Sequence, residues 1–189
     1  FKNTLPYMTL EVSVLPDEGL LFNSAIHCYT EAFSLPPYSD PKRGEEVHAR
    51  LQSTHKYIDG FQAFIATDPA ATYEVIGMCY GYKSKRGQWW HDTVKQKLTE
   101  SLLPIWFDSA YELVEIAVQP NEQGKGIGTL LINYLLDKRT EPGCVLSTRT
   151  DSQAHELYER LGFSILGQIE FNNSTVPYYI MGKTFRHKI

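Results

Sequence analysis

The segment that most restricts what this chain can fold into is residues 111–138, YELVEIAVQPNEQGKGIGTLLINYLLDK. Its first eight residues are apolar apart from Glu112 and Glu115 and predict a strand. Further on, Ile127, Leu130, Leu131, Tyr134 and Leu135 fall on one face of a helix. Between the two, Gly124, Gly126 and Gly128 alternate with other residues. A glycine inside a helix costs about 1 kcal/mol relative to alanine. Glycines here therefore point to a backbone conformation, or a close approach, that a side chain would block. The first N–H groups of a helix have no partner within it and lie at the positive end of its dipole. A strand that runs into such a loop and helix is a place where a phosphate can rest on the backbone.

The rest of the chain surrounds this unit with alternating elements. Leu10, Val12 and Val14 predict a strand over Thr9–Leu15, stopped at Pro16-Asp17. Leu20, Leu21, Ile26, Tyr29 and Phe33 have helical spacing, SLPPYSDP at 34–41 reads as a loop, and a short helix follows over Lys42–Ser53. Phe61–Thr67 and Tyr73–Tyr82 predict a hairpin turning at Asp68-Pro69, and Gly87–Leu103 predicts a helix carrying Trp89, Trp90, Val94 and Leu98. Beyond residue 138, Cys144–Thr148 is a short strand. Ala154, Leu157, Tyr158 and Leu161 mark the inner face of a helix running from about Ser152 to Gly162. Phe163–Phe171 and Val176–Phe185 close the chain as an antiparallel pair. The predicted order is β-α-α-β-β-α-β-α-β-α-β-β, an α/β chain with a mixed sheet.

Bulk properties exclude several classes. The net charge of -4 and the scattered basic residues argue against nucleic acid, and the short runs Lys83-Ser84-Lys85-Arg86 and Arg186-His187-Lys188 read as solvated surface. No apolar run is long enough for a bilayer, so no membrane association and a cytoplasmic location are expected. Cys28, Cys79 and Cys144 are far apart and odd in number, which argues against a disulfide framework and against a zinc site. The histidines have no metal-ligand spacing, and no metal is expected; His155 reads as surface. With 189 residues, 42% of them hydrophobic, a single domain with a real core is expected over 1–189.

The phosphate ligand is narrowed by what the loop lacks. The Walker pattern is absent, and a dinucleotide fingerprint needs a third glycine where Thr129 stands. The loop does fit Q-x-x-G-x-G, written here Gln123-Gly124-Lys125-Gly126-Ile127-Gly128, and in this it resembles the acetyl-CoA loop of the GCN5-related N-acetyltransferases (GNAT). The later segment DSQAHELYERLGF, residues 151–163, resembles that family's N-x-x-A-x-x-L-Y-x-x-x-G-F helix. The two segments together cover about 110–163.

The resemblance implies a GNAT-like fold: a mixed, mostly antiparallel twisted sheet with helices on both faces. It implies acetyl-CoA as co-substrate and transfer of acetyl to a primary amine of a small molecule or peptide by direct attack. A non-catalytic acyl-CoA binder or sensor is the alternative. Under the resemblance the pyrophosphate rests on the N–H groups of Gly124–Thr129, with Gln123 ahead of them and Lys125 beside the phosphates. The pantetheine arm follows Ile116, Ala117 and Val118, and the amide of Val118 or of a neighbour faces the thioester oxygen. Tyr158 matches the tyrosine placed near sulfur as general acid. Asp151 stands where the family often has Asn, and with Ser152 it is expected to touch the cofactor or cap the helix. Glu115, then Glu112, are the candidate bases; three residues apart on a strand, they are expected to point to opposite faces. Phe33 and Tyr38 are expected to wall the acceptor site. The aromatic insertion at about 83–108 is expected to be a lid over that site or a homodimer contact.

Overall fold

The computed structural model describes residues 10–71 and 73–185. Thr9 of the expected first strand and the run Arg186-His187-Lys188 lie outside them. The elements follow the predicted order: β1 Glu11–Val14, α1 Leu20–Ser34, α2 Arg43–Ser53, β2 Gln62–Thr67, β3 Val75–Lys83, α3 Trp89–Lys97, β4 Tyr111–Val118, α4 Ile127–Leu136, β5 Gly143–Arg149, α5 Ala154–Arg160, β6 Ser164–Ile169 and β7 Tyr178–Thr184. The strands form one sheet in the order β1-β2-β3-β4-β5-β7-β6. All neighbours pair antiparallel except β4 and β5.

Helices cover both faces of the sheet. On one face α1 and α2 pack over β2–β4, burying Phe22, Tyr29, Val47, Met78 and Tyr80. On the other, α4 lays Ile127, Leu131 and Leu135 on Cys79 and Leu113, and Tyr158 of α5 joins the same cluster. The buried face of α4 includes Ile132, whereas Tyr134 is half exposed with its ring edge on Phe64.

The aromatic insertion is part of the core rather than a detached lid. Trp90, Val94, Leu98 and Phe107 pack with Val145 and Ile180. Since Val145 is the register partner of Glu112, α3 lies on the α1/α2 side of the sheet. The helix is shorter than the predicted 87–103 because Leu98 turns extended and drops onto Gly167; a 3-10 turn at Glu100–Leu102 follows. Trp89 and Ile105 face outward. Among the described residues, no helix is long and apolar enough to cross a membrane.

Two irregularities shape the centre of the sheet. The β4–β5 ladder has only the pairs Tyr111–Cys144 and Glu112–Val145. Beyond Glu112 the strands part, leaving one edge of β4 without a strand partner. The second irregularity is a β-bulge on β4: Tyr80 pairs with Glu115 but Gly81 pairs with Leu113, so Val114 is the extra residue.

Candidate active site

The loop after β4 leaves its backbone donors free. Among the described residues, the N–H groups of Gly124 through Thr129 have no hydrogen-bond partner in the chain, and α4 starts at Gly126 without a side-chain cap. Gly124 and Gly126 have φ of 77° and 86°, and a Cβ added at either would meet nothing within 4 Å. Their requirement is conformational: they turn the backbone so that its donors face open space. Gly128 differs. Its added Cβ would sit 3.1 Å from Leu157, so it serves the packing of α4 against α5. The side-chain amide of Gln123 donates to the Val118 carbonyl at 3.1 Å, tying the loop to the strand end. Lys125 pairs with Glu122 at 3.0 Å and stays exposed beside the loop.

The open edge of β4 continues this surface. The Gln119 N–H donates to the Ile76 carbonyl on the β3 side. Main-chain directions alternate along a strand, so the groups of Ile116 and Val118 aim at the gap and those of Ala117 at β3. The Ala117 side chain is buried against the α1 cluster, whereas Ile116 and Val118 are half-buried on the α4 side. A row of helix-start donors joined to an unpaired strand edge fits a diphosphate attached to an extended amide-bearing arm, the chemistry of coenzyme A.

The two glutamates do not point to opposite faces. The bulge at Val114 resets the alternation, so Glu112 lies opposite Tyr82 and Glu115 opposite Tyr80, two positions on one side of β3. Both carboxylates therefore face α1 and α2. Their environments differ sharply. Glu115 accepts from the Tyr29 hydroxyl at 2.7 Å and from Arg50 Nη2 at 3.0 Å, and Arg43 Nη2 lies 3.8 Å away. Arg43 also donates its Nε to the Tyr29 hydroxyl at 2.8 Å. Glu112 has no such support: it is 4% exposed and its Oε2 has no partner. Burial, reinforced by the charge on Glu115, pushes its carboxyl up to about 8. His55 meets the Tyr80 hydroxyl at 2.9 Å, and burial plus the nearby Arg50 charge lower it to about 4.

Tyr158 approaches from the opposite face. It is buried with its ring edge on Phe163, and burial holds its hydroxyl well above the usual tyrosine range, with Tyr38 and Glu115 adding to the effect. Those two neighbours belong to the α1/α2 side. Tyr38 lies between α2 and the end of β5. Arg43 lies 5.1 Å from its ring centroid, Arg149 at the end of β5 lies at the same distance, and its hydroxyl lies by Ser152. Phe33 stands behind it, stacked on Tyr29 at 4.3 Å and edge-on to Tyr38 at 4.6 Å.

Asp151 is bound bidentately by Arg149 at 2.9 and 2.7 Å, which holds its carboxyl below the ordinary range. Neither Asp151 nor Ser152 caps α5, whose N-cap position is Gln153; Ser152 accepts the Ala154 N–H at 3.2 Å just ahead of the helix. His155 is half-buried, edge-on to Tyr179. The three cysteines are buried and their thiols pushed up to about 12 by burial, unsuited to nucleophilic work. Among the described residues, no group of three or more His, Cys, Asp or Glu side chains could hold a metal ion.

Sequence reasoning missed Tyr29, Arg43, Arg50 and His55. Arg43, Val47 and Arg50 repeat over two turns of α2, a periodicity that could have marked a sheet-facing side carrying charge.

A glycine loop with free N–H groups, joined to an unpaired strand edge beside a buried tyrosine, is the arrangement that an acyl-coenzyme A-dependent transferase needs. Residues 59–165 match the family model described as Acetyltransferase (GNAT) domain. The GCN5-like protein acetyltransferase Rv2170 of Mycobacterium tuberculosis is 35% identical, over 76% of this chain and 84% of that protein. Among solved structures, the histone acetyltransferase HPA2 and related acetyltransferase from Corynebacterium glutamicum superposes with a TM-score of 0.66 at 20% identity, covering 96% of this chain and 99% of that one. The PaiA N-acetyltransferase from Thermoplasma acidophilum, in complex with coenzyme A, superposes with a TM-score of 0.59 at 17% identity, covering 94% and 100%. The chain belongs to the GNAT acetyltransferase family. It is an acetyltransferase enzyme with acetyl-CoA as its acetyl donor.

Proposed function

We propose that this enzyme acetylates a primary amine by direct attack, with Glu112 as proton acceptor and Tyr158 as proton donor. The observation that carries the reading is the bulge at Val114, which sets Glu112 and Glu115 on the acceptor side of the gap while Tyr158 enters from the other side. The acceptor is the amine of a small molecule or a peptide; the relative named as a protein acetyltransferase supports a lysine side chain among the candidates.

Acetyl-CoA supplies an acetyl group activated as a thioester. The N–H groups of Gly124–Thr129, with Lys125 beside them, hold its diphosphate; the free edge at Ile116–Val118 aligns its arm, and the Val118 N–H polarises the carbonyl. Asp151 and Ser152 flank the arm on the β5 side. An amine arrives largely as ammonium and must lose a proton before attack. Glu112, with a carboxyl near 8, can hold that proton at neutral pH, directly or through one water. Glu115 is engaged by Tyr29 and Arg50 and fixes the charge of the acceptor side. After attack the nitrogen of the adduct has a second proton to lose; as the C–S bond breaks, Tyr158, whose buried hydroxyl stays neutral over the working range, gives its proton to the departing sulfur and is reprotonated from that nitrogen. Tyr38 and Phe33 form the aromatic wall against the acceptor.

The test is the pH dependence of kcat/KM with a fixed amine. Below about 8 Glu112 is mostly protonated, so the rate should rise with pH through that value. Glu112→Gln should lower kcat about 10²-fold or more and remove this limb, and Tyr158→Phe should lower kcat by a similar factor with acetyl-CoA affinity retained. An unchanged profile in Glu112→Gln would sink the assignment.

A further inference from the structure

We propose that the acceptor carries a carboxylate beside the amine that is acetylated, and that Arg43 and Arg50 receive it. This rests on the amine-acetylation reading above and goes further, to the class of amine. Arg43 and Arg50 are two turns apart on α2 and converge on one carboxylate, Glu115. Two guanidinium groups against one carboxylate leave one positive charge on this side. The nearby pair Arg149–Asp151 cancels, and Glu45 and Glu46 of the same helix are exposed and pair with neither arginine. Burial keeps Tyr29 and Tyr80 neutral, and His55 is neutral above about 4. Glu112 is mostly uncharged below about 8.

Hydrogen bonding is unbalanced in the same direction. Arg50 gives Nη2 to Glu115, but its Nε is buried without an acceptor. Arg43 gives Nε to Tyr29, and its Nη2 stands 3.8 Å from Glu115. The two side chains remain 25% and 42% exposed, so a ligand can reach them. Arg43 is also held against the rings of Phe33 and Tyr38, which orients its fork. A carboxylate offers two acceptor oxygens in the geometry a guanidinium fork matches. An amine with that carboxylate nearby sets its nitrogen towards Glu112 and its anion towards the arginines. A polyamine would place a second positive charge against them.

The chemistry has two sources, a free amino acid or a lysine with an acidic neighbour, and the experiment separates them. With acetyl-CoA saturating, kcat/KM is measured for phenylalanine against phenethylamine, for capped lysine peptides with aspartate or asparagine beside the lysine, and for spermidine. The carboxylate-bearing member of at least one pair should be favoured about tenfold or more, through KM. That preference should fall towards unity in Arg50→Gln and return in part in Arg50→Lys. Calorimetric binding of the same acceptor should weaken in parallel while acetyl-CoA binding is retained. The first pair responding points to a free amino acid, the second to a peptide. Turnover that favours phenethylamine and spermidine would overturn the carboxylate and leave amine acetylation standing. Acetyl-CoA binding with no turnover of any amine would overturn both.

Discussion

The two sides of the gap between β4 and β5 are built from different material. The proposed donor side is backbone: the free N–H groups of Gly124–Thr129 and the unpaired edge of Ile116–Val118. Side chains play little part: Gly128 has none and packs its Cα towards Leu157, and Gln123 braces the loop. The proposed acceptor side is almost wholly side chain: Tyr29, Arg43, Arg50, Glu112, Glu115 and Tyr38, drawn from α1, α2, their connecting loop and β4. A backbone cradle keeps its donors through most substitutions and suits one unvarying ligand. A side-chain wall can be rewritten residue by residue, which suits an acceptor that differs from one family member to the next.

The contrast can be broken at three points. The largest effect is expected at Gly126→Val. A branched side chain at φ 86° is strained, so the loop should leave the left-handed conformation and turn its donors away. Acetyl-CoA affinity should fall by about 10²-fold or more, roughly 3 kcal/mol, in a calorimetric titration, with little change in Tm. The acceptor side should respond in the opposite manner. Glu115→Ala removes the counter-charge of two arginines and the acceptor of the Tyr29 hydroxyl, and should destabilise the fold by about 2 kcal/mol in urea unfolding while acetyl-CoA affinity stays within about threefold. The figure is set below that for a fully buried pair because Arg50 is 42% exposed. The smallest effect sharpens the comparison within the loop itself. Gly128→Ala points its new methyl at Leu157, not at the open space before the loop. Its effect on acetyl-CoA affinity should stay within about threefold, and its effect on stability within about 1 kcal/mol, since the gain in helix propensity opposes a contact at 3.1 Å. A Gly128 variant as damaging to binding as Gly126→Val would mean that the glycines act as one unit.

The strand, glycine turn and helix of residues 111–138 were legible because their signals are local. A strand's periodicity, a glycine turn and a helix start are each written in a few consecutive residues. The order of all twelve elements was legible for the same reason. Tyr158 stood out by its place in the 151–163 segment, and the structure puts it in the cluster that meets the gap. The aromatic insertion was visible as composition, but composition does not say against what it packs; Val145 and Ile180, far along the chain, decide that.

The sequence by itself determined that the chain would form a mixed α/β sheet with a glycine turn at the start of α4, because helix and strand periodicities and glycine's conformational freedom act over a few residues. Only the tertiary structure decided which side chains face each other across the gap. Val114 is one ordinary apolar residue within a strand. It becomes the extra residue of a bulge only because Tyr80 and Gly81 on β3 take the partners they do. That single residue moves Glu112 onto the same face as Glu115, and helix packing then brings Arg43 and Arg50 to the second carboxylate and leaves the first alone. Pairing register and helix packing arise between residues distant in the chain, so no local pattern could have carried them.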